Sequence, residues 1–532
     1  MRTIRDGLSN GVKSWWRLSA VVSALAGVVA ALGLTSSARA QDDFVSQANA
    51  GFKDVPQEKR SDLVLLPLLV KMQAAPGVLK SQEHAALLAS QGPGWEACAE
   101  WAKGEAQQAL LKAVAKVTEE RDHRKAYVFA QPYGVEGVDL DMVSAGMYTE
   151  LGETPTLAGA QIGFMDELET LGILCHVEAS RLQKEGDAKG AMTVMSNWVF
   201  FTRQYMDRPF LKEKTWAMQS MLLALVRMRD IAYQDYRAEA HKLDTAYLTE
   251  LLGKMPVDGY LSINRLRPPT ADFLGREQLL ARVLKKGGGA DETVFGPTMA
   301  KITSNERPLR LFSASAYWSQ VGQQHADLTA SQKALRAIQG DWTKRWDLSE
   351  FDTMQQTKTD YLLRVRGHPE LALVGFDMEP MEQLMKDRQR ERTEFAGTRM
   401  SLAVYAYLLE HKSLPPALNS TRPAIVKVLD KDPYASARSD LVYWISGREN
   451  PKGADGQAQP YVIKMFPPEP YPSFEVPIPV GEFILFSIGP NNVPEGIREA
   501  TQGREGVRGD YLLWPPALSL FRLREMEQGQ LH

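Results

Sequence analysis

Two carboxylates with the spacing of an acid–base pair occur in the segment Gly-Val-Asp-Leu-Asp, at Asp139 and Asp141. In an extended chain, residues two apart point to the same face. Glycosidases use two carboxylates about 5–10 Å apart, so this pair is one candidate for acid–base catalysis. Paired acids are common in proteins and carry little specificity. We therefore favour a non-catalytic role for Asp139 and Asp141.

Other residues that carry chemistry are sparse. The sequence contains no Gly-x-Ser-x-Gly, His-Glu-x-x-His, Walker A or Gly-x-Gly-x-x-Gly motif. His176 has an acid two positions away, Glu178, but residues two apart on a helix do not face each other. His176 is therefore interpreted as a structural or surface histidine. No catalytic residue is assigned, and a non-enzymatic protein is favoured over an enzyme, which stays open as the alternative.

Composition excludes several classes of protein. The chain has 532 residues, 62 Lys+Arg against 65 Asp+Glu, a net charge of -3 and 44% hydrophobic residues. These values are ordinary for globular proteins and unlike those of disordered, collagen-like or polytopic membrane proteins. Because nucleic-acid-binding domains usually carry a basic excess, we expect no nucleic-acid partner. The mixed-charge run 386–392 is interpreted as a solvated helix face.

The first 40 residues resemble a Sec signal peptide. Basic residues come first, residues 18–34 carry no charge, and an Ala-x-Ala pattern ends at Ala40. We expect cleavage after Ala40 and an exported, periplasmic or extracellular protein. An uncleaved N-terminal membrane anchor is the alternative, since the apolar stretch reaches the lower limit of a membrane span. No later stretch predicts a membrane span.

Two cysteines, Cys98 and Cys175, complete the chemically reactive residues. Export exposes a protein to oxidising conditions, where a single disulfide can form. Both residues lie in apolar stretches that are predicted to be helical. A disulfide and a pair of buried free thiols are therefore both open from the sequence.

Residues 41–380 are predicted to form an irregular bundle of antiparallel helical hairpins. Apolar residues recur with a spacing near 3.6 in 57–73, 82–117 and 160–184. The same pattern predicts helices at 188–206, 211–238, 245–254, 271–286, 329–340 and 350–364. Gly186 is expected to end one helix and Asp187 to cap the next. The Gly- and Pro-containing segment 287–310 is expected to be an exposed loop.

Residues 381–532 are predicted to form a small α+β module, which makes the chain mainly α overall. A long helix is expected at 380–412. Strands are expected at 441–445, 461–465 and 483–487, with a Pro-rich extended crossing at 466–480. A helix followed by a small antiparallel sheet is the architecture that this order favours.

The order of motifs in this module carries a resemblance. Residues 399–418 read R-x-x-L-A-x-x-x-Y-x-x-x-x-x-x-L-P-P-A-L, and Asp-Pro-Tyr follows at 432–434. The segments GEFILFSIGP at 481–490 and GDYLLW at 509–514 complete the series. Residues 395–516 resemble the globular domain of the type II secretion major pseudopilin. The whole chain resembles large exported bacterial proteins of unknown function, which carry a helical body before such a module.

The pseudopilin resemblance implies a calcium loop after the third predicted strand. The residues in matching positions that offer oxygen are Asn491, Asn492, Glu495 and Asp510. Calcium takes six to eight oxygens, several of them anionic, and this loop is less acidic than that of the family. A Gly/Pro/Asn turn without metal is the favoured interpretation. We expect no other cofactor.

Two functional hypotheses follow from the sequence. The first is an exported, non-enzymatic structural or protein-interaction protein of the bacterial cell envelope, with other envelope proteins as its partners. The second is an envelope hydrolase with an unrecognised acid–base site, located at the cleft between the helical body and the C-terminal module. A small-ligand-binding protein is a further alternative. A hydrolase predicts a pocket in which acids or histidines with displaced pKa values converge.

Overall fold

The computed structural model describes most of the chain after the first 37 residues. The described ranges are 38–90, 92–152, 155–304, 308–349, 351–450, 452–453, 456–466, 472–501 and 509–527. Residues 1–37, which hold most of the predicted signal peptide, lie outside these ranges, as do residues 467–471 of the predicted Pro-rich crossing. Among the described residues, no helix is both long and apolar enough to cross a membrane.

The described chain is mainly α-helical, as predicted, and an α+β part follows at the C-terminal end. The helices are α1 Ala38–Asn49, α2 Ser61–Leu69, α3 Gln82–Leu87, α4 Trp95–Ala102, α5 Glu105–Val117, α6 Leu140–Ser144, α7 Met165–Lys184, α8 Ala188–Tyr205, α9 Leu211–Tyr236, α10 Thr245–Lys254, α11 Ala271–Val283, α12 Phe295–Ser304, α13 Leu311–Gln324, α14 Leu328–Asp347, α15 Asp360–Arg364, α16 Ala372–Gly375, α17 Pro380–His411 and α18 Ala517–Glu527. The strands are β1 Thr149–Glu150, β2 Gln161–Ile162, β3 Val442–Ile445, β4 Tyr461–Phe466, β5 Phe474–Ile478, β6 Phe483–Ser487, β7 Glu499–Thr501 and β8 Asp510–Trp514.

Three consecutive helices, α7, α8 and α9, form the centre of the helical body. Acidic residues open α7 and basic residues close it, which suits the helix dipole. Gly186 adopts a φ of 84° after α7, and the side chain of Asp187 accepts the N–H of Gly190 at the start of α8. The predicted turn is therefore confirmed. Helix α17 packs against α9 and belongs to the same buried core.

Strands β3 to β8 form a six-stranded sheet in the order β3-β6-β8-β7-β4-β5. Every residue of β6 and β8 is buried, because these central strands are covered on both faces. Phe483 and Leu485 share a core with α17, whereas Ile484 and Phe486 pack in a second cluster with residues of α18. Gly397 allows α17 to pack closely against β8, since a Cβ atom at position 397 would lie 2.3 Å from the side chain of Leu513.

The predicted sheet needs one refinement. Within this sheet, as far as the structure describes it, β7 pairs in parallel with both β4 and β8, whereas the other three pairings are antiparallel. The sheet is therefore mixed.

Several predicted helix boundaries were wrong. The segment 82–117 is three helices, α3 to α5, and not one, because Gly-Pro-Gly at 92–94 and Gly104 interrupt it. The segment 287–310 is not simply a loop, since it contains α12. The run 386–392 is not a solvated face. Glu391 is 0% exposed and Arg388 is 7% exposed, because this part of α17 lies between the helical body and the sheet.

Candidate functional site

Hydrogen bonds connect three of the four candidate residues of the predicted calcium loop. Asn491 Nδ2 donates to Glu495 Oε1 over 3.3 Å, and Asp510 accepts the backbone N–H of Glu495 over 3.3 Å. Asn492 points elsewhere, because its Nδ2 donates to Ser436 Oγ over 3.2 Å. The loop thus satisfies much of its own hydrogen bonding, but Glu495 Oε2 is buried without a hydrogen-bond partner among the described residues.

The buried carboxyl group of Asp510 dominates the electrostatics of the loop. Burial raises the pKa of Asp510 to about 6, and the charges of Glu495 and Asp432 add to this rise. Among the described residues, no group of three or more His, Cys, Asp or Glu side chains is arranged to hold a metal ion. Calcium binding by Asn491, Glu495 and Asp510 stays a prediction that this geometry does not favour.

The paired carboxylates Asp139 and Asp141 have a structural explanation. Asp139 is the N-cap of α6, and its Oδ1 accepts the backbone N–H of Asp141 over 2.8 Å. Both residues are exposed. A capping aspartate on a solvated turn provides no enclosed site for acid–base chemistry.

His176 and the two cysteines are buried inside the helical body. Burial, followed by the charge of Arg227, lowers the pKa of His176 to about 3, so this imidazole is neutral. Its two ring nitrogens have no hydrogen-bond partner among the described residues. Cys98 and Cys175 are both buried and free, which agrees with the free-thiol alternative.

A cleft of about 330 Å³ lies between residues that the sequence assigns to the helical body and residues that it assigns to the C-terminal module. We call it the junction cleft. Its lining comes from the end of α14, the first turns of α17, Leu348, Gln355, Thr357, Thr359, Leu362, Tyr434 and Pro490. This is the location at which the hydrolase hypothesis places its site.

The carboxylates of the junction cleft hold the surrounding structure. Glu382 Oε1 accepts the hydroxyl of Thr359 over 2.7 Å and the indole N–H of Trp342 over 3.0 Å. Asp387 Oδ1 accepts Gln383 Nε2 over 2.9 Å, and burial raises the pKa of Asp387. Arg345 braces the wall through Asp341 and the carbonyl of Lys358.

The lining of the junction cleft has an excess of positive charge and does not resemble an acid–base site. Two carboxylates line it, against five cations, which are Arg345, Lys386, Arg388, Arg390 and Arg392. No histidine is among its described lining residues. The acids are hydrogen-bonded to structural groups, so the cleft does not present the convergent acid–base pair that a hydrolase of this kind needs.

Sequence reasoning missed the ionic groups that the fold buries. Asp230 of α9 binds Arg522 of α18, 292 positions away, and Glu394 of α17 binds Arg229 of α9. The one signal for such pairs was charge inside otherwise apolar helices, which does not identify a partner. No protein-family model, no curated protein and no solved structure matches this chain.

Proposed function

We propose that this chain is an exported, non-enzymatic protein-interaction protein of the bacterial cell envelope, whose partners are other envelope proteins. The observation that carries this proposal is the uncharged outer face of α13. Two further features of the sequence support the location: the signal-like residues 1–40 and the pseudopilin resemblance of 395–516.

Helix α13 exposes apolar and small side chains and has no Asp, Glu, Lys or Arg over its whole length. Phe312 is 86% exposed and Tyr317 is 57% exposed. Leu309, which is separated from the helix by the exposed Arg310, is 100% exposed. Depletion of charge together with exposed aromatic residues is typical of the centre of a protein–protein interface.

The opposite side of α13 is firmly attached to the fold. Trp318 and Val321 are buried, and Trp318 Nε1 donates to Thr303 Oγ1 of α12 over 3.2 Å. The ring of Trp318 also packs edge-on against Phe376. The exposed face is therefore held in a fixed position, which lowers the entropic cost of binding a partner.

A protein partner suits this face better than a lipid surface. Helices that bind in the plane of a membrane combine an apolar face with a Lys/Arg-rich polar face. The polar residues of α13 are Ser and Gln. The helix thus lacks the cations that attract anionic lipids, whereas neutral polar groups can form hydrogen bonds to another protein.

The interaction is tested by photo-crosslinking in cells. A photoreactive residue at position 317 is expected to form an adduct with another protein, and Phe312→Lys is expected to abolish that adduct. Phe312 is exposed, so its replacement should leave stability within about 0.5 kcal/mol. Val428→Lys, at a position that is 57% exposed, is the matched control and should preserve the adduct. An adduct that survives Phe312→Lys, or one with lipid alone, would contradict the proposal.

Export is tested separately by cell fractionation and N-terminal sequencing. We expect the protein in the envelope fractions with Gln41 as its first residue. A cytoplasmic protein that retains Met1 would refute the envelope location and leave the α13 interaction to be judged by crosslinking alone.

A further inference from the structure

A second pocket, of about 450 Å³, lies between the ends of three helices. We call it the Arg227 pocket. Helix α7 contributes Ser180, Gln183 and Lys184, α9 contributes Arg227, Tyr233 and Gln234, and α18 contributes Ser519, Arg522, Leu523 and Met526; Arg237, directly after α9, also lines the pocket. Residues 88–90 close one side.

The lining of the Arg227 pocket is charged with a single sign. Four cations line it, which are Lys184, Arg227, Arg237 and Arg522, and its described lining contains no carboxylate. Ser519 Oγ and Gln234 Nε2 already donate to Asp230, and Gln183 Nε2 donates to Gln234, so the four cations are the donors that a ligand would meet. Donors of this kind, gathered in a partly enclosed space, are suited to an oxyanion.

Two of these cations share one buried counter-ion. Arg522 contacts Asp230 through Nη1 over 2.8 Å and through Nη2 over 3.0 Å. Arg227 also forms an ion pair with Asp230, and Arg227 is 1% exposed. One carboxylate therefore faces two guanidinium groups. A buried positive charge without its own counter-ion is costly, so an anion in the pocket would stabilise this arrangement.

The other charged groups near the pocket do not neutralise Arg227 and Arg522. Arg237 is paired with Glu482, outside the pocket, and Lys184 lies 3.7 Å from the exposed Glu96. His176 is neutral. Burial lowers the pKa of Arg522 to about 10, and the charge of Glu525, on the same helix, offsets only part of this effect.

Unused donors provide an independent observation. The Nε atoms of Arg227 and Arg522 are buried and have no hydrogen-bond partner among the described residues. Buried polar groups in native proteins are usually satisfied by protein, water or ligand. Each of these two guanidinium groups therefore keeps a donor that no described residue uses.

The pocket also has an apolar edge. Leu88 and Ala89 lie on one side, and Leu523 and Met526 of α18 lie on the other. Leu523 is 49% exposed and Met526 is 42% exposed. An anion that carries an apolar chain could place its charged end against the arginines and its chain along this edge.

We propose that the Arg227 pocket binds a small oxyanion, a phosphate or a carboxylate, on a molecule with an apolar part. This site is separate from the α13 face, so the two proposals stand or fall independently. Binding would also stabilise the packing of α18 against α7 and α9, because the anion would contact side chains of all three helices.

Calorimetric titration and thermal unfolding of the full chain test this proposal. The probes are inorganic phosphate, octanoate and octyl phosphate at constant ionic strength, with octyl glucoside as the uncharged control. We expect saturable binding of octyl phosphate, weaker binding of phosphate or octanoate, and none of octyl glucoside. Equal binding of octyl glucoside, or no binding of any anion, would overturn the proposal.

Variants locate the binding. Arg522→Gln leaves Asp230 paired with Arg227 and should weaken anion binding about tenfold or more. If that variant fails to fold, the double variant Lys184→Gln/Arg237→Gln decides, because those side chains are 43% and 49% exposed. Lys254→Gln is the control, since Lys254 is similarly exposed, is paired with Glu250 and does not line the pocket. Loss of binding in the control, or wild-type binding in the pocket variants, would refute the site.

Discussion

The hydroxyl of Tyr511 on β8 donates a hydrogen bond to Glu394 on α17, inside the core of the protein. The second carboxylate oxygen of Glu394 is bound by Arg229 of α9. Arg229 also donates to Thr398 Oγ1 over 2.8 Å. One buried carboxylate thus connects the sheet, the long helix α17 and the central helix of the body.

Removing the hydroxyl of Tyr511 should destabilise this connection. Tyr511→Phe leaves one oxygen of Glu394 without its donor and also removes the acceptor for Arg390 Nε, which lies 3.1 Å from the hydroxyl. An unsatisfied buried polar group costs about 1–3 kcal/mol. We expect the free energy of unfolding, measured with urea, to fall by that amount.

Tyr317→Phe is the matched control for this substitution, because Tyr317 is 57% exposed. Its free energy of unfolding should stay within about 0.5 kcal/mol of that of the wild type. If both variants lose the same free energy of unfolding, the hydrogen bond between Tyr511 and Glu394 does not contribute specifically to stability.

Glu391 should make stability depend on pH. Its two oxygens have no hydrogen-bond partner among the described residues, and burial raises its pKa from the ordinary 4.5 to about 8. The folded protein thus keeps a proton that the unfolded chain releases above 4.5. Its contribution to stability is fully present below that value and is lost as the pH rises through about 8, by up to about 1.4 kcal/mol per pH unit.

Glu391→Gln removes this titration while keeping the shape of the protonated side chain. We expect the stability of the variant, relative to wild type, to rise steadily from pH 5 to pH 8 in urea titrations. Glu239→Gln, at an exposed position, should show no such trend. A parallel pH profile for wild type and Glu391→Gln would mean that Glu391 is ionised in the fold.

Local features were predictable from the sequence, and long-range ones were not. Helix α10 was predicted with its observed bounds, 245–254, and strand β6 with its observed bounds, 483–487, because their patterns are short and clearly bounded. Helix α13 was missed, since its Ser- and Gln-rich sequence has no charged face to set against an apolar stripe. That same absence of charge makes α13 the candidate interface.

The buried charges could not be placed from the sequence for a different reason. Lys386 to Arg392 alternate in sign like a solvated face, yet the fold encloses several of them against the sheet and the body. Arg227 and Asp230 are one helical turn apart, but Arg522 reaches them only when α18 packs on α9. Tertiary packing, which no local pattern encodes, decides which charges meet.

The cap of α8 should contribute measurable stability. The carboxylate of Asp187 accepts the backbone N–H of Gly190 over 2.7 Å. Asp187→Ala removes this acceptor and should lower the free energy of unfolding by about 1 kcal/mol. Asp187→Asn retains a side-chain oxygen and should lose much less. If both variants lose the same amount in urea denaturation, the charge rather than the hydrogen bond is responsible.

Thiol titration should distinguish two free cysteines from a disulfide. Cys98 and Cys175 are fully buried, and burial raises the pKa of both thiols. A thiol reacts as its thiolate and only when reagent can reach it, so the folded protein should show almost no fast reaction with a thiol reagent. In denaturant without reductant, two thiols should react, and Cys98→Ala should reduce that number to one. A disulfide would instead leave no reactive thiol in the denatured wild type until reductant is added, while Cys98→Ala would expose a single thiol without reductant.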